Sequence, residues 1–170
     1  MTTQTRTETE KNILILGIGN LLLSDEGVGI RVIENLMNNY TIPESIEITD
    51  GGTMGIELLP WIEGRTHIII VDAVRSDNPP GSIIRIDNVP GFFKDRISPH
   101  QIGITDVLAI ASISDTLPSE VVLIGIEPES LSGGLELSGT VAGKIDEITE
   151  RVIDEVARAG VTLECSENNV

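Results

Sequence analysis

The feature that most restricts the fold of this chain is a glycine-rich segment at residues 17–29, with the sequence GIGNLLLSDEGVG. It directly follows the apolar run 13–16, which is short and rich in β-branched residues, as buried parallel strands are. Apolar residues at helical spacing begin where the segment ends. We therefore expect a strand at 12–17 and a helix at about 25–39 that packs on the sheet.

The same segment has the start of a dinucleotide-binding loop, which is Gly-x-Gly after a strand. Such a loop needs a third glycine at position 22, because the helix packs closely on the strand there. This chain has Leu22 at that position, and Asp25 and Glu26 stand where the helix would begin. Their charges would repel a pyrophosphate. The pattern therefore argues against a phosphate site and favours a cation site.

The remaining apolar patterns alternate between strands and helices along the chain. Further strands are predicted at 45–49, 66–71, 82–87 and 120–126, and further helices at 54–61, 103–113 and from about 138 to 160. This alternation predicts a three-layer α/β/α fold with a mostly parallel sheet of about five strands. We expect a single domain at 12–160, with flexible tails at 1–11 and 161–170.

Composition excludes several classes of partner. The net charge is -16 and there are only four aromatic residues, which argues against nucleic acids and anionic membranes. No segment is long and apolar enough to span a bilayer. Cys165 is the only cysteine, so neither an intrachain disulfide nor a thiolate metal cluster can form, and a cytoplasmic location is expected. Any metal site must use oxygen and nitrogen ligands.

Polar residues follow the predicted strands at the edge where ligands of α/β proteins collect, beyond the carboxyl ends of the strands. Glu26 follows the first strand and its loop, Asp50 ends the second strand, and Asp72 ends the third. We expect these three carboxylates to share one rim of the sheet. His100 lies late in the loop after the fourth strand and reaches this rim only if residues 89–99 return the chain to it.

Carboxylate and imidazole groups are ligands for a borderline divalent cation such as nickel or zinc, and three protein ligands leave positions open for water or substrate. Each residue also has a structural interpretation. The negative charge of Asp25 or Glu26 can stabilise the helix through a favourable interaction with the helix dipole. Asp50 can close an Asx-turn before two glycines, Asp72 can cap a turn, and His100 can be an ordinary loop histidine. The residues alone leave both interpretations open.

Five motifs occur in an order that resembles the hydrogenase maturation proteases, the endopeptidases that remove a short C-terminal extension from the large subunit of nickel–iron hydrogenases. The motifs are the segment 17–29, DGGT at 50–53, VDA at 71–73, SPHQIG at 98–103 and IEPES at 126–130. The resemblance runs from about residue 12 to residue 160. It implies an endopeptidase whose partner is the precursor of such a large subunit.

The resemblance also implies roles for individual residues. Glu26, Asp72 and His100 are the expected metal ligands and catalytic candidates, and Asp50 is expected close to the substrate tail, as a substrate contact or catalytic support. The implied metal is nickel that arrives with the substrate, with zinc or cadmium as surrogates, and no other cofactor is expected. The protein is expected to act as a monomer.

The catalytic step has two interpretations. The metal can assist hydrolysis by polarising the scissile carbonyl or activating a water. Alternatively it only positions the tail, with a carboxylate as the base. A non-catalytic chaperone that checks nickel loading of the same subunit is the alternative function, because it would use the same ligands.

Overall fold

The computed structural model describes residues 11–87, 89 and 102–166. Its strands are β1 (Ile13–Ile18), β2 (Tyr40–Thr41), β3 (Ile46–Gly52), β4 (His67–Ala73), β5 (Ile83–Ile86), β6 (Glu120–Ile126) and β7 (Glu164–Cys165). Its helices are α1 (Val28–Asn39), α2 (Leu59–Ile62), α3 (Ile102–Ile113), α4 (Gly139–Ala142) and α5 (Ile145–Arg158), with 3-10 turns at Ser24–Gly27 and Ile56–Leu58. In this described part of the chain, no helix has the length and hydropathy to cross a membrane.

A five-stranded sheet in the order β3-β1-β4-β6-β5 forms the centre of the fold. The first four strands in this order are parallel to one another, and β5 runs antiparallel to β6 at the edge. The predicted α/β fold with a mostly parallel sheet of about five strands is therefore confirmed. Because β1, β3, β4 and β6 are parallel, their carboxyl ends meet at one edge of the sheet, which we call the carboxyl edge.

The sheet has helices on both faces because its central strands are apolar on both faces. In β1, Ile13 and Ile15 belong to one core cluster, which also contains apolar residues of α1 and α5. Leu14 and Leu16 belong to a second cluster, on the side of α2 and α3. All six residues of β1 are buried. Alternate side chains of one strand thus supply both cores, and three layers result.

Helix α1 begins in direct contact with the backbone of the sheet. A Cβ atom added at Gly29 would lie 2.2 Å from the carbonyl oxygen of Val71 and 2.3 Å from that of Ile18. A Cβ atom added at Gly17 would lie 2.6 Å from the carbonyl oxygen of Gly29. Only glycine allows this approach, since real Cβ atoms do not come so close to backbone atoms. The contact holds the turn that precedes α1, and Glu26 within it, at the carboxyl edge.

Some predicted element boundaries differ from the observed ones. The helix expected from residue 25 begins as a 3-10 turn, and the last helix is interrupted between Ala142 and Ile145. Ser138 is a helix cap, as expected, but the helix that it caps is the short helix α4. Its hydroxyl accepts a hydrogen bond from the Val141 amide at 3.2 Å. The 3-10 turn and the interruption of the last helix are both local changes of helix type near glycines. The periodicity of apolar residues does not reveal such changes.

The chain beyond Gly160, expected as a flexible tail, forms a short strand. In β7, Cys165 pairs with Tyr40 and Glu164 pairs with Thr41, antiparallel to β2. A two-residue strand has too few side chains for an alternating pattern, so the sequence contains no signal for it. Residues 1–10 and 167–170 lie outside the described part of the chain, and the tails at these positions stay a prediction.

The backbone contact at Gly29 leads to a stability prediction. Gly29→Ala should lower the free energy of unfolding by about 1–3 kcal/mol or more, because the new methyl group overlaps two backbone oxygens that cannot move independently. Gly139→Ala is the control, since a Cβ atom at Gly139 would meet nothing within 4 Å. Urea denaturation measures both. A Gly29→Ala protein as stable as the Gly139→Ala protein would contradict the close contact.

Candidate functional site

A cleft with a cavity volume of about 300 Å³ lies at the carboxyl edge of the sheet. Its walls come from the ends of β1, β3 and β4, the turn before α1, the loop after β6 and the first turn of α3. The acidic residues that line it are Glu26 and Asp72, and Arg75 supplies a positive charge. The cleft therefore lies where ligands of parallel α/β proteins bind.

Glu26 and Asp72 are brought together in this cleft, as predicted, although 46 positions separate them in the chain. Glu26 lies in the 3-10 turn before α1, and Asp72 is the sixth residue of β4. Both residues are buried. Two of the three predicted metal ligands thus line one cavity.

The environment of Asp72 disfavours its charge. Burial raises the pKa of Asp72 to about 8, and the negative charge of Glu26 raises it further, whereas a hydrogen bond with the backbone of Ala73 opposes the rise. A divalent cation between the two carboxylates would offset both the desolvation and the repulsion. The donor set of the cleft, two carboxylate groups, therefore fits a hard or borderline cation.

Asp25, the neighbour of Glu26, has a structural role. Its carboxylate is fully buried and accepts four hydrogen bonds, from the amides of Glu129, Ser130 and Ser138 at 2.9, 2.8 and 2.7 Å and from the Ser138 hydroxyl at 2.9 Å. These bonds attach the loop after β6 to the turn before α1. Since this loop contributes Pro128 and Leu131 to the cleft, Asp25 holds one wall of the cleft in place.

Asp50 does not line the cleft. Its side chain is exposed, and its Oδ1 accepts a hydrogen bond from the Gly52 amide at 2.8 Å. This geometry is the Asx-turn that was one of the two interpretations for this residue. The turn leads into Gly52 and Thr53, which do line the cleft. A contact between Asp50 and the substrate tail stays a prediction.

His100 and the segment 90–101 lie outside the described residues, so its ligand role stays a prediction. Within the described ranges, no group of three or more His, Cys, Asp or Glu residues could hold a metal ion.

The other histidine, His67, lies at the amino end of β4. Its Nδ1 lies 3.0 Å from the Thr66 hydroxyl. Burial lowers the pKa of His67, and the charge of Lys11 lowers it further.

Arg75 lines the cleft although it was not among the predicted site residues. It follows β4 in a loop that Glu127 holds, because the buried Glu127 carboxylate accepts hydrogen bonds from the Ser76 amide at 2.6 Å and the Ser76 hydroxyl at 2.7 Å. A guanidinium at this place can bind a peptide carbonyl or carboxylate. No motif in the sequence marks Arg75, since its position depends on a contact between residues 51 positions apart.

The raised pKa of Asp72 predicts how stability depends on pH. The pKa rises from 3.8 to about 8 on folding, so between these values the folded protein keeps a proton that the unfolded chain has released. The free energy of unfolding should therefore decrease as pH rises through this window, by about 1.4 kcal/mol per pH unit from this group. Above pH 8 this contribution is lost.

The Asp72→Asn protein lacks this titration and serves as the comparison. Urea denaturation of the metal-free proteins at pH 5 and pH 7.5 should show the wild type losing stability relative to Asp72→Asn as pH rises. Equal pH dependence of the two proteins would show that Asp72 titrates normally and that its surroundings do not disfavour the charge.

The hydrogen bonds of Asp25 predict that its replacement by asparagine strongly destabilises the protein. Asp25→Asn should lower the free energy of unfolding by about 2–4 kcal/mol, because both carboxylate oxygens accept hydrogen bonds and an amide NH₂ would face a donor. Asp154→Asn, at an exposed position of α5, should change it by less than about 0.5 kcal/mol. Thermal and urea denaturation measure both. A similar small loss in the two variants would be evidence against the structural role of Asp25.

Comparisons of sequence agree on one family of proteins. Residues 30–155 match the family model described as hydrogenase maturation protease. The hydrogenase 2 maturation protease of Escherichia coli (strain K12) is 43% identical over 152 residues, which are 88% of this chain and 93% of that protein. The hydrogenase expression/formation protein HoxM of Azotobacter vinelandii is 41% identical over 157 residues, which are 90% of this chain and 76% of HoxM.

Comparisons of structure agree with those of sequence. The hydrogenase-maturating endopeptidase HybD from E. coli matches with a TM-score of 0.87 and 40% identity, over 93% of this chain and 99% of HybD. The [NiFe] hydrogenase maturation protease HybD from Thermococcus kodakarensis matches with a TM-score of 0.70 and 26% identity, over 86% of this chain and 99% of that protein. The central sheet with its flanking helices is the fold that these proteins share.

Proposed function

The chain belongs to the hydrogenase maturation protease family, whose members are endopeptidases, and on this basis we propose that it removes the C-terminal extension from the precursor of a [NiFe] hydrogenase large subunit. The observation that supports the proposal is the cleft that contains both Glu26 and Asp72 at the carboxyl edge of the sheet. We place this step in the cytoplasm, with the protein acting as a monomer; the single cysteine is compatible with a reducing compartment.

The cleft recognises nickel that is already bound in the precursor. Glu26 and Asp72 offer oxygen ligands, and His100 offers a nitrogen ligand on the evidence of its motif. Three such ligands can engage an ion held by another protein without binding it tightly alone. Cys165, the only cysteine, is exposed in β7, away from the cleft. The chain thus offers a partial ligand set, as recognition of a substrate-borne ion requires.

Asp72 couples metal recognition to proton release. Its pKa of about 8 keeps it protonated at neutral pH in the absence of an ion. Engagement of the nickel site needs the carboxylate form, so Asp72 releases its proton when the precursor binds. The carboxylate then binds the ion without an excess of negative charge in the cleft. A precursor without nickel offers no cation to offset the free-energy cost of deprotonating Asp72. This cost is a physical reason why the protein would bind the nickel-loaded precursor in preference to the nickel-free one.

Hydrolysis follows once the tail lies in the cleft. Water adds to the scissile carbonyl, the peptide C–N bond breaks, and the leaving amine takes a proton. The nickel that the precursor carries would supply Lewis acidity for this addition, and Glu26 and Asp72 are the cleft residues that would hold it. Arg75, which lines the cleft, is placed to hold a carbonyl of the tail. By holding the ion at the strand ends, Glu26 and Asp72 would orient the precursor so that its tail enters the cleft.

The decisive experiment compares nickel-loaded and nickel-free precursor, each incubated with the protein and analysed by mass spectrometry. A shortened large subunit and a released peptide should appear from the nickel-loaded precursor alone. Equal cutting of both precursors would refute nickel recognition. A stable complex without a cut would instead assign the chaperone function.

Variants of the proposed ligands test the site. Glu26→Gln, Asp72→Asn and His100→Gln should each reduce processing by at least about a hundredfold, the usual cost of a lost transition-state contact. His67→Gln is the matched control, because His67 lies at the opposite end of β4 from Asp72. Full activity of His100→Gln would show that this histidine is not a ligand.

A further inference from the structure

Two large apolar side chains are exposed beside the cleft. Leu22 is 64% exposed and Leu135 is 61% exposed. Leu22 lies in the loop after β1, and Leu135 lies in the loop after β6. Each loop also places a leucine in the cleft, namely Leu23 and Leu131. The exposed apolar surface and the cleft are therefore parts of the same two loops.

The two loops are joined by their backbones. Leu23 and Gly134 form a parallel β-bridge. The Gly134 amide donates to the Leu22 carbonyl oxygen at 2.9 Å, and the Ser24 amide donates to the Gly134 carbonyl oxygen at 2.8 Å. The Ser24 hydroxyl donates to the carbonyl oxygen of Ser132 at 3.0 Å. We call residues 22–24 and 133–135 the leucine platform.

Further hydrogen bonds fix the backbone of each leucine. The Leu22 amide donates to Oδ1 of Asn20 at 2.9 Å, and Nη2 of Arg31 donates to the Leu135 carbonyl oxygen at 3.3 Å. Below the platform, the Asp25 carboxylate attaches the same two loops through its four hydrogen bonds. The backbone that carries both leucines is thus fixed by hydrogen bonds within and between the two loops.

Such a surface is suited to binding another protein. Water disfavours exposed apolar area, and a partner that covers it gains the corresponding free energy. Little ordering entropy is lost on binding, because folding has already ordered the loops. Exposed apolar residues that cluster beside a cleft mark interaction sites more often than scattered ones do.

We propose that the leucine platform is a docking surface for the folded body of the large-subunit precursor, an inference that rests on the proposed function. Docking of the body on the platform places the tail that leaves it in the adjacent cleft. The net charge of -16 favours the approach of a partner with a basic surface. It disfavours a second copy of this chain, because two copies would repel each other.

Binding of the intact precursor measures the contribution of the platform. The Leu22→Ser/Leu135→Ser double variant should raise Kd for the nickel-loaded precursor, and KM for its processing, by about tenfold for each leucine, where tenfold corresponds to about 1.4 kcal/mol. The kcat value should stay unchanged, since neither leucine lines the cleft. Leu22→Met, which keeps the apolar volume, should bind like the wild type.

Ile113→Ser is the matched control. Ile113 is 87% exposed, but it ends α3, ten residues and about 15 Å beyond the cleft residue Gly103. It should leave Kd and KM unchanged. Unchanged Kd and KM in the double variant, or an equal loss in Ile113→Ser, would refute the platform as a docking surface.

Kd is measured separately from cutting, so the two proposals fail in different ways. A wild type that binds the precursor without cutting it refutes the protease function, and the Kd of the double variant still decides the docking surface. A wild type that does not bind the precursor refutes docking. A wild-type dimer that becomes monomeric in the double variant would assign the platform to a second copy and also refute the proposal.

Discussion

The contact between the backbone of α1 and the backbones of β1 and β4 is the constraint on which the carboxyl edge depends. Gly17 and Gly29 allow it, because any side chain at either position would overlap backbone atoms. The helix can then begin directly at the ends of two central strands. Glu26, three residues before Gly29, comes to face Asp72 for this reason. A helix held farther from the sheet would separate the two carboxylates.

Asp25 and Glu26 are adjacent in the chain, but their carboxylates lie in different environments. Asp25 turns toward the loop after β6, where four hydrogen bonds compensate its burial. Glu26 turns toward the cleft, where its charge adds to the desolvation that raises the pKa of Asp72. One carboxylate therefore stabilises the wall of the cleft, while the other disfavours the charged form of Asp72. Under the proposed function, the nickel that the precursor carries would offset the desolvation and the repulsion together.

The loop after β6 connects the chemical and the recognition parts of the proposed function. Its motif at 126–130 supplies Glu127, which holds the loop of Arg75 through Ser76, and Glu129 and Ser130, whose amides bind Asp25. The same loop continues to Leu131 in the cleft and to Leu135 on the surface. The motif thus acts mainly through backbone and carboxylate hydrogen bonds that orient other residues. Under the proposed function, one continuous loop therefore contributes both to the cleft and to the docking surface.

The sequence by itself determined the layered fold and the region of the site. Apolar strands such as β1, β4 and β6 and the amphipathic helix α5 follow from local periodicity, and parallel strands must place Glu26 and Asp72 at one edge. The tertiary structure alone decided which carboxylate lines the cleft and which one supports it. It also decided the position of Arg75, the exposure of Leu22 and Leu135, and the pairing of β7 with β2. The partners in those contacts lie tens to more than a hundred positions apart, as Asp25 and Ser138 do, and no local pattern in a single sequence reports a contact of that range.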